Sequence, residues 1–183
     1  HYELDLNDFE AKLSEVRMFI LCSPHNPTSK VFSPQELESM LSLCRKHQVL
    51  VIADEIHADW VYGSMTAASA LDPGVITILS PSKTFNLQGM QCSFLFIPDP
   101  AQAQAVKQEC DALAYMNNQT FSHAAALAAY SEEGAVWLAE AKAYVQENAR
   151  VFSRLLSASA VPLMPMRLES TFLLWVDCCG CCK

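Results

Sequence analysis

Three short apolar runs in the first half of the chain limit the folds that it can adopt. They cover residues 18–22, 49–53 and 75–79, and each is followed at once by polar residues. Continuous apolar runs of this length that are rich in β-branched residues are typical of strands buried in a parallel sheet. We therefore expect an α/β fold in which these runs are strands of a mostly parallel sheet.

A helix is clearly predicted between the first two runs. Ser33 is expected as its N-cap and Pro34 as its first residue, and Glu36 completes a capping box. One apolar face follows at spacings of three and four residues: Leu37, Met40, Leu41 and Cys44. Strand, helix and strand in this order predict a right-handed βαβ unit.

The pattern becomes mainly helical in the second half of the chain. We expect a fourth strand, an amphipathic helix, an alanine-rich helix capped by Ser122, a long helix and a final strand-like piece. In that order they cover residues 92–97, 101–115, 122–130, 134–157 and 171–176.

The composition is that of a folded protein and excludes two classes of partner. Hydrophobic residues make up 51% and charged residues 17% of the 183 residues. The net charge is −8 without a cluster of Lys or Arg, so nucleic acid is not expected as a partner. The apolar runs are far shorter than the ~18 residues that cross a bilayer, and the first residues do not resemble a signal peptide. A cytoplasmic protein without a membrane partner is expected.

The positions of the eight cysteines do not indicate a framework of disulfide bonds. Four of them are isolated in apolar segments and are expected to be buried free thiols: Cys22, Cys44, Cys92 and Cys110. The others form the tail Cys178-Cys179-Gly180-Cys181-Cys182. Thiols this close in sequence do not easily surround one ion, so no metal site is expected and a ragged or truncated end is favoured.

A polar residue of possible chemical use follows each of the three apolar runs. Asn26 follows the first, Asp54 the second and Lys83 the third. The carboxyl ends of parallel strands share one edge of the sheet, where such folds bind ligands. A lysine there can act as an amine nucleophile or base. Each residue also has a structural interpretation: a turn residue before Pro27, a cap on the next segment, and a surface lysine.

Together these residues fit a cofactor that carries an aldehyde on a pyridine ring. Such a cofactor needs a lysine for the Schiff base, an acid at the ring nitrogen and a hydrogen-bond donor at the ring hydroxyl. The hydroxyls of Ser80 and Ser82 could hold its phosphate.

The motifs resemble those of a known family. They are Asn26-Pro27-Thr28, Asp54-Glu55-Ile56-His57-Ala58-Asp59 and Ser80-Pro81-Ser82-Lys83-Thr84-Phe85-Asn86. In order and spacing they resemble fold-type I pyridoxal-phosphate enzymes of the class I/II aminotransferase superfamily. Within it they look most like the cystathionine β-lyase (C–S lyase) branch related to MalY and PatB, because His57 stands where aminotransferases more often have tyrosine. The resemblance runs from about residue 2 to Asp177.

The resemblance implies a role for each site residue. Lys83 would bind pyridoxal 5′-phosphate covalently and later remove the Cα proton of the substrate. Asp54 would pair with the ring nitrogen, while Asn26 and His57 would lie near the phenolic oxygen, with an Asn26–Pro27 bond that can be cis. Ser80 and Ser82 would face the phosphate, and Ser80 matches the family better.

The chain also departs from the family. Ser29 stands where the family usually has glycine, and this replacement is expected to change the backbone shape of that turn. Gln91 occupies a position where many relatives have a basic residue on the phosphate, so it can donate a hydrogen bond but supplies no charge. The regions that would stack on the ring and grip the substrate carboxylate are not in the sequence. We therefore expect this chain to be a central fragment with little or no activity of its own.

The resemblance also implies a domain division and an assembly. Residues 1–132 would be part of the pyridoxal-phosphate-binding large domain, with helices on both faces of its sheet. Residues 133–183 would begin a small α+β C-terminal domain. The family is dimeric, and the loop Asn117–Thr120 falls where a neighbour's site would be completed.

Three functions stay open on the sequence. The favoured one is β-elimination from cystathionine or cysteine to give a thiol, pyruvate and ammonia. An aminotransferase uses the same residues, and a non-catalytic fragment is an alternative of another class. A generic nucleotide-binding protein is disfavoured because the chain has only five glycines and no Gly-x-Gly-x-x-Gly motif.

Overall fold

The computed structural model of the chain describes residues 2–115 and 120–181. A four-stranded sheet lies at its centre, with the strand order β1-β2-β3-β4. The strands are β1 (Met18–Cys22), β2 (Leu50–Asp54), β3 (Ile76–Leu79) and β4 (Phe94–Phe96). The first three are parallel, while β4 runs antiparallel to β3. The α/β class with a mostly parallel sheet is therefore confirmed.

Seven α-helices lie in the described part of the chain. They are α1 (Leu6–Leu13), α2 (Pro34–Lys46), α3 (Ala68–Leu71), α4 (Pro81–Thr84), α5 (Pro100–Ala112), α6 (Thr120–Ala129) and α7 (Glu132–Ser157). Two short 3-10 helices cover Gln88–Met90 and Cys179–Cys181, and a two-stranded ribbon pairs β5 (Met164–Pro165) with β6 (Val176–Asp177). Every helix within these ranges is too short or too polar to cross a lipid bilayer.

Helix α2 begins as its sequence predicts. The Ser33 hydroxyl accepts a hydrogen bond from the Glu36 N–H, and the Glu36 carboxylate accepts one from the Ser33 N–H. The predicted apolar face of α2 is fully buried and joins Leu21, Val51 and Ala53 in the core. This burial fixes α2 on one face of the sheet and sets the direction of the loops at its edge.

The opposite face of the sheet carries Asp54. Register pairs Cys22 with Asp54 and Ile20 with Ile52, so these four side chains share a face. Ile20 is 64% exposed, which shows that the described residues leave this end of the face open.

Two expectations about the second half are wrong. Ser122 does not cap α6. It lies inside the helix, is buried, and donates a hydrogen bond to the Met90 carbonyl at 2.5 Å. The expected strand at 171–176 reduces to Val176–Asp177, because Thr171 takes a left-handed φ of 60° and the backbone there bonds to other loops.

The remaining expectations stand as follows. Cys44 and Cys92 are buried thiols, whereas Cys22 and Cys110 are only half-buried, and none of the four is in a disulfide. Nowhere in residues 2–115 and 120–181 do three or more His, Cys, Asp or Glu side chains group as a metal site requires. Residues 117–119 and Cys182 lie outside the described residues. The domain division between residues 132 and 133 stays a prediction.

Candidate active site

The carboxyl ends of β1, β2 and β3 meet at one edge of the sheet. Cys22 at the end of β1 is the register partner of Asp54, and Asp54 is the partner of Ile78 in β3. The Ser23 N–H donates to the Asp54 carbonyl at 3.1 Å, and the Glu55 N–H donates to the Ile78 carbonyl at 3.0 Å. These bonds extend the ladder past the strand ends, so the loops that carry the candidate residues leave the sheet side by side.

Lys83 lies on the short helix α4, directly after β3. Ser80 caps this helix, since its hydroxyl accepts a hydrogen bond from the Ser82 N–H at 3.1 Å, and Pro81 is its first residue. The Lys83 side chain is half-buried. Its amine makes no hydrogen bond or ion pair with any residue that the structure describes.

His57 lies within electrostatic reach of both Asp54 and Lys83. It is 2% exposed, and burial lowers the pKa of His57; the Asp54 carboxylate opposes this effect and the Lys83 amine adds to it. The buried His57 Nδ1 has no hydrogen-bond partner within residues 2–115 and 120–181. Asp54 is half-buried, and its Oδ1 accepts a hydrogen bond from the Ile56 N–H at 3.2 Å. The structure thus brings three of the expected site residues together.

Asn26 lies in the turn that follows β1, and its side chain is exposed. The peptide bond between Asn26 and Pro27 is cis. Burial raises the pKa of the Cys22 thiol, the Asn26 backbone lowers it by a hydrogen bond, and Asp54 raises it further. Cys22 is therefore close both to the Asn26 backbone and to Asp54, which places the turn near the Asp54 end of the site.

The two serines differ in their surroundings. Ser80 is buried, and its hydroxyl donates to the Cys92 carbonyl at 2.6 Å. The Ser82 hydroxyl lies 2.8 Å from that of Ser80 and is half-buried. Because the Cys92 carbonyl can only accept, the Ser80 proton goes to it and the Ser82 hydroxyl donates to Ser80. Ser80 is buried and Ser82 is not, so Ser82 is the hydroxyl that a phosphate can reach. Gln91, next to Cys92, is exposed and has a left-handed φ of 49°.

Asp59, to which the sequence analysis assigns no role, makes several hydrogen bonds near the site. The Asp59 carboxylate accepts hydrogen bonds from the Thr84 and Tyr130 hydroxyls, each at 3.3 Å. The Asp59 carbonyl accepts one from the Lys142 amine at 3.2 Å. Burial, with a further effect of Asp59, raises the pKa of Tyr130 to about 12. Asp59 thus links Thr84, the residue after Lys83, to Tyr130 directly after α6 and to Lys142 in α7. No short-range pattern in the sequence indicates this link between distant residues.

The donor set fits a carbonyl-bearing ring cofactor. A half-buried amine without a partner can take up an aldehyde, and a carboxylate can hold a protonated ring nitrogen. The unpaired nitrogen of His57 is costly when buried, and a ligand oxygen or hydroxyl would satisfy it. Lys83, Asp54, His57, Asn26 and Ser82 are the residues that could hold such a group.

Comparison with known proteins finds a family match over nearly the whole chain. The model of the family described as aminotransferase class I and II matches residues 1–181. Cystathionine beta-lyase PatB of Bacillus subtilis (strain 168) is 35% identical over 96% of this chain and 47% of its own length.

Two solved structures are similar as well. A PLP-bound C-S lyase from Staphylococcus hominis has a TM-score of 0.89 at 28% identity, over 97% of this chain and 46% of that one. Cystalysin from Treponema denticola, which contains a pyridoxal 5′-phosphate cofactor, has a TM-score of 0.90 at 28% identity, over 97% of this chain and 47% of that one. The chain spans about half the length of these relatives. Since the family model covers nearly the whole sequence, the chain belongs to the class I and II aminotransferase family.

Proposed function

We propose that this chain carries the cofactor-binding centre of a pyridoxal-phosphate-dependent carbon–sulfur β-lyase. One observation carries the proposal: the buried His57, whose Nδ1 has no hydrogen-bond partner among the described residues, lies within electrostatic reach of both the Lys83 amine and the Asp54 carboxylate. An amine, an imidazole and a carboxylate at one sheet edge are the groups that an aldehyde-bearing pyridine needs. The similarity to a cystathionine beta-lyase and a PLP-bound C-S lyase supports the same function.

Each residue then has a task that its surroundings allow. Lys83 would hold the cofactor through its amine, and its Nζ would accept the Cα proton of the substrate. Asp54 would accept a hydrogen bond from the ring N–H. His57 and Asn26 would hold the phenolic oxygen, and Ser82, Ser80 and Gln91 would hold the phosphate. When bound, pyridoxal phosphate supplies the electron sink that lets a β-thiolate leave.

The proposed substrate is a thioether or thiol amino acid such as cystathionine or cysteine, and the products are a thiol, pyruvate and ammonia. The proposed assembly is a homodimer. We expect the 183-residue chain to show little or no turnover, since it spans about half the length of its relatives. Turnover by the isolated chain at the rate of a full-length relative would contradict this expectation.

Covalent trapping tests the cofactor site without requiring turnover. The chain is incubated with pyridoxal 5′-phosphate, reduced with borohydride, digested, and mapped by mass spectrometry. We expect one main adduct, on Lys83, and its loss in Lys83→Ala. Lys107→Ala is the matched control, because Lys107 is an exposed helix lysine paired with Asp111 at 2.6 Å. Equal labelling of many lysines, or unchanged labelling in Lys83→Ala, would contradict the proposal and favour a non-catalytic chain.

An aminotransferase is the second candidate, because the matching family is named for that reaction. The two reactions differ in what they need. A lyase releases pyruvate from cystathionine without a keto-acid acceptor, whereas an aminotransferase requires the acceptor. Pyruvate measured by a coupled dehydrogenase assay on the full-length protein separates them.

A further inference from the structure

Thr171 bonds to both loops that carry candidate cofactor residues. Its N–H donates to the Trp60 carbonyl at 2.7 Å, and its own carbonyl accepts from the Tyr62 hydroxyl at 2.9 Å. Its hydroxyl lies 3.0 Å from that of Ser29 and accepts from the Leu173 N–H at 3.1 Å. Trp60 and Tyr62 belong to the loop after β2, and Ser29 belongs to the turn after β1. Each polar atom of Thr171 therefore has a partner.

The partners of the Ser29 hydroxyl determine which of the two hydroxyls, that of Ser29 or that of Thr171, donates to the other. The Ser29 hydroxyl donates to the Leu173 carbonyl, which can only accept. The proton between the Ser29 and Thr171 hydroxyls must therefore come from Thr171. The Ser170 hydroxyl adds a bond to the Ser29 carbonyl at 3.0 Å. Ser29, Ser170 and Thr171 are all buried. Loss of one of these hydrogen bonds would therefore leave a buried polar group without a partner, which destabilises the folded chain.

The backbone at this contact is strained on both sides. Ser29 and Thr171 each have a φ of 60°, in the left-handed region. A β-branched residue such as Thr171 adopts this region only rarely. Strained residues of this kind persist where the surrounding structure holds them in place, and they cluster at functional sites.

The contact adjoins two of the candidate site residues, Asn26 and His57. The turn of Ser29 is closed by bonds from the His25 N–H to the Lys30 carbonyl at 2.8 Å and from the Ser29 N–H to the His25 carbonyl at 2.9 Å, and Asn26 lies within it. Phe172, the residue after Thr171, packs its ring edge to face on His57, with centroids 5.9 Å apart.

We propose that Thr171 is a positioning residue that, through its hydroxyl bond to Ser29 and its backbone bonds to the Trp60 loop, fixes Asn26 and His57 relative to each other. The proposal rests on the proposed function in one respect, since it assumes that these two residues hold the cofactor. Thr171 does not itself touch the reacting atoms.

Amide hydrogen exchange of the 183-residue chain without cofactor tests the coupling. In Thr171→Val we expect peptides covering 25–31 and 57–62 to exchange about tenfold faster, since the buried hydroxyl bond is lost that joins the Ser29 turn to the residue whose backbone is bonded to Trp60 and Tyr62. Thr171→Ser keeps the hydroxyl and should exchange like wild type. Ser29→Ala removes the same bond from the other side and should resemble Thr171→Val, which keeps the test decisive if one variant folds poorly.

A matched control is available in β3. Thr77 is a buried threonine whose hydroxyl has no hydrogen-bond partner among the described residues, so Thr77→Val should leave exchange in both loops unchanged. If neither Thr171→Val nor Ser29→Ala changes both loops, or if Thr171→Ser behaves like Thr171→Val, the proposal is overturned.

Cofactor titration tests the consequence for the site. We expect Thr171→Val to bind pyridoxal 5′-phosphate about tenfold more weakly, by about 1.4 kcal/mol, while Thr171→Ser binds like wild type. Equal affinity of wild type and Thr171→Val would overturn the positioning role. If wild type itself takes up no cofactor, the proposed function fails, and the exchange measurements still decide whether Thr171 couples the loops.

Discussion

The ring of His57 meets the ring of Phe172 edge to face, with the ring centroids 5.9 Å apart. His57 follows β2 directly, whereas Phe172 belongs to a segment near the end of the chain. Phe172 also packs on Trp60 at 5.2 Å, so one aromatic side chain covers the loop after β2 at two points. The burial that lowers the pKa of His57 is thus partly supplied by a distant part of the sequence.

The buried histidine makes stability depend on pH in a definite direction. Because the pKa of His57 is lowered in the folded chain, its contribution to stability is complete above the unfolded pKa of about 6.5. As the pH falls below this value, the unfolded chain binds a proton on His57 that the folded chain does not bind. The free energy of unfolding then decreases by up to about 1.4 kcal/mol per pH unit, until the folded pKa is passed.

Denaturant unfolding between pH 7 and pH 5 measures this effect. His57→Gln should show a shallower decrease than wild type over that range. His123→Gln, which removes an exposed histidine, is the control and should keep the wild-type slope. His25, whose pKa burial and Lys30 also lower, contributes equally to all three proteins. Identical slopes for wild type and His57→Gln would refute the assignment.

The charges around His57 predict opposite pKa changes in two variants. Asp54→Asn removes the group that raises the pKa of His57, so the histidine should titrate at lower pH. Lys83→Met removes the cation that lowers it, so the histidine should titrate at higher pH. A histidine NMR titration measures both changes. Changes of the same sign, or none, would mean that Asp54 and Lys83 do not share a site with His57.

The N-terminal cap of α2 should make a measurable contribution to the free energy of unfolding. Ser33→Ala removes the acceptor for the Glu36 N–H, and we expect it to lower the free energy of unfolding by about 1 kcal/mol. Ser39→Ala is the matched control, because the Ser39 hydroxyl bonds only to the Gln35 carbonyl on the exposed side of the same helix. Its effect should stay within about 0.5 kcal/mol. The prediction is wrong if the two variants are equally stable by urea denaturation.

Cys44 should resist alkylation in the folded chain. Burial raises the pKa of the Cys44 thiol to about 11, so little thiolate is present at pH 8 and the sulfur is shielded. Peptide mapping after iodoacetamide treatment should find Cys44 unmodified in buffer and modified in guanidinium chloride. Cys181 is exposed and should react under both conditions. Modification of Cys44 at the rate of Cys181 in buffer would contradict its burial.

Much of the first half of the fold follows from short-range signals. The capping box of α2 depends on residues three apart, and both of its bonds form as expected. The strand ends at Cys22, Asp54 and Leu79 fall within one residue of the predicted runs, because an apolar run must be buried and the polar residues after it need not be. The order of the Asn26, Asp54 and Lys83 motifs was likewise sufficient to predict the family, which the comparison confirms.

Only the tertiary structure decided how distant residues are used. The sequence could not show that β4 is antiparallel, that Ser122 bonds to Met90 instead of capping α6, or that the Ser80 proton goes to the Cys92 carbonyl. The bond between Asp59 and Tyr130 and the bond between Thr171 and Ser29 each join residues more than seventy positions apart. A cap is set by the residues beside it, whereas a bond between distant residues exists only once packing has brought them together and removed competing water.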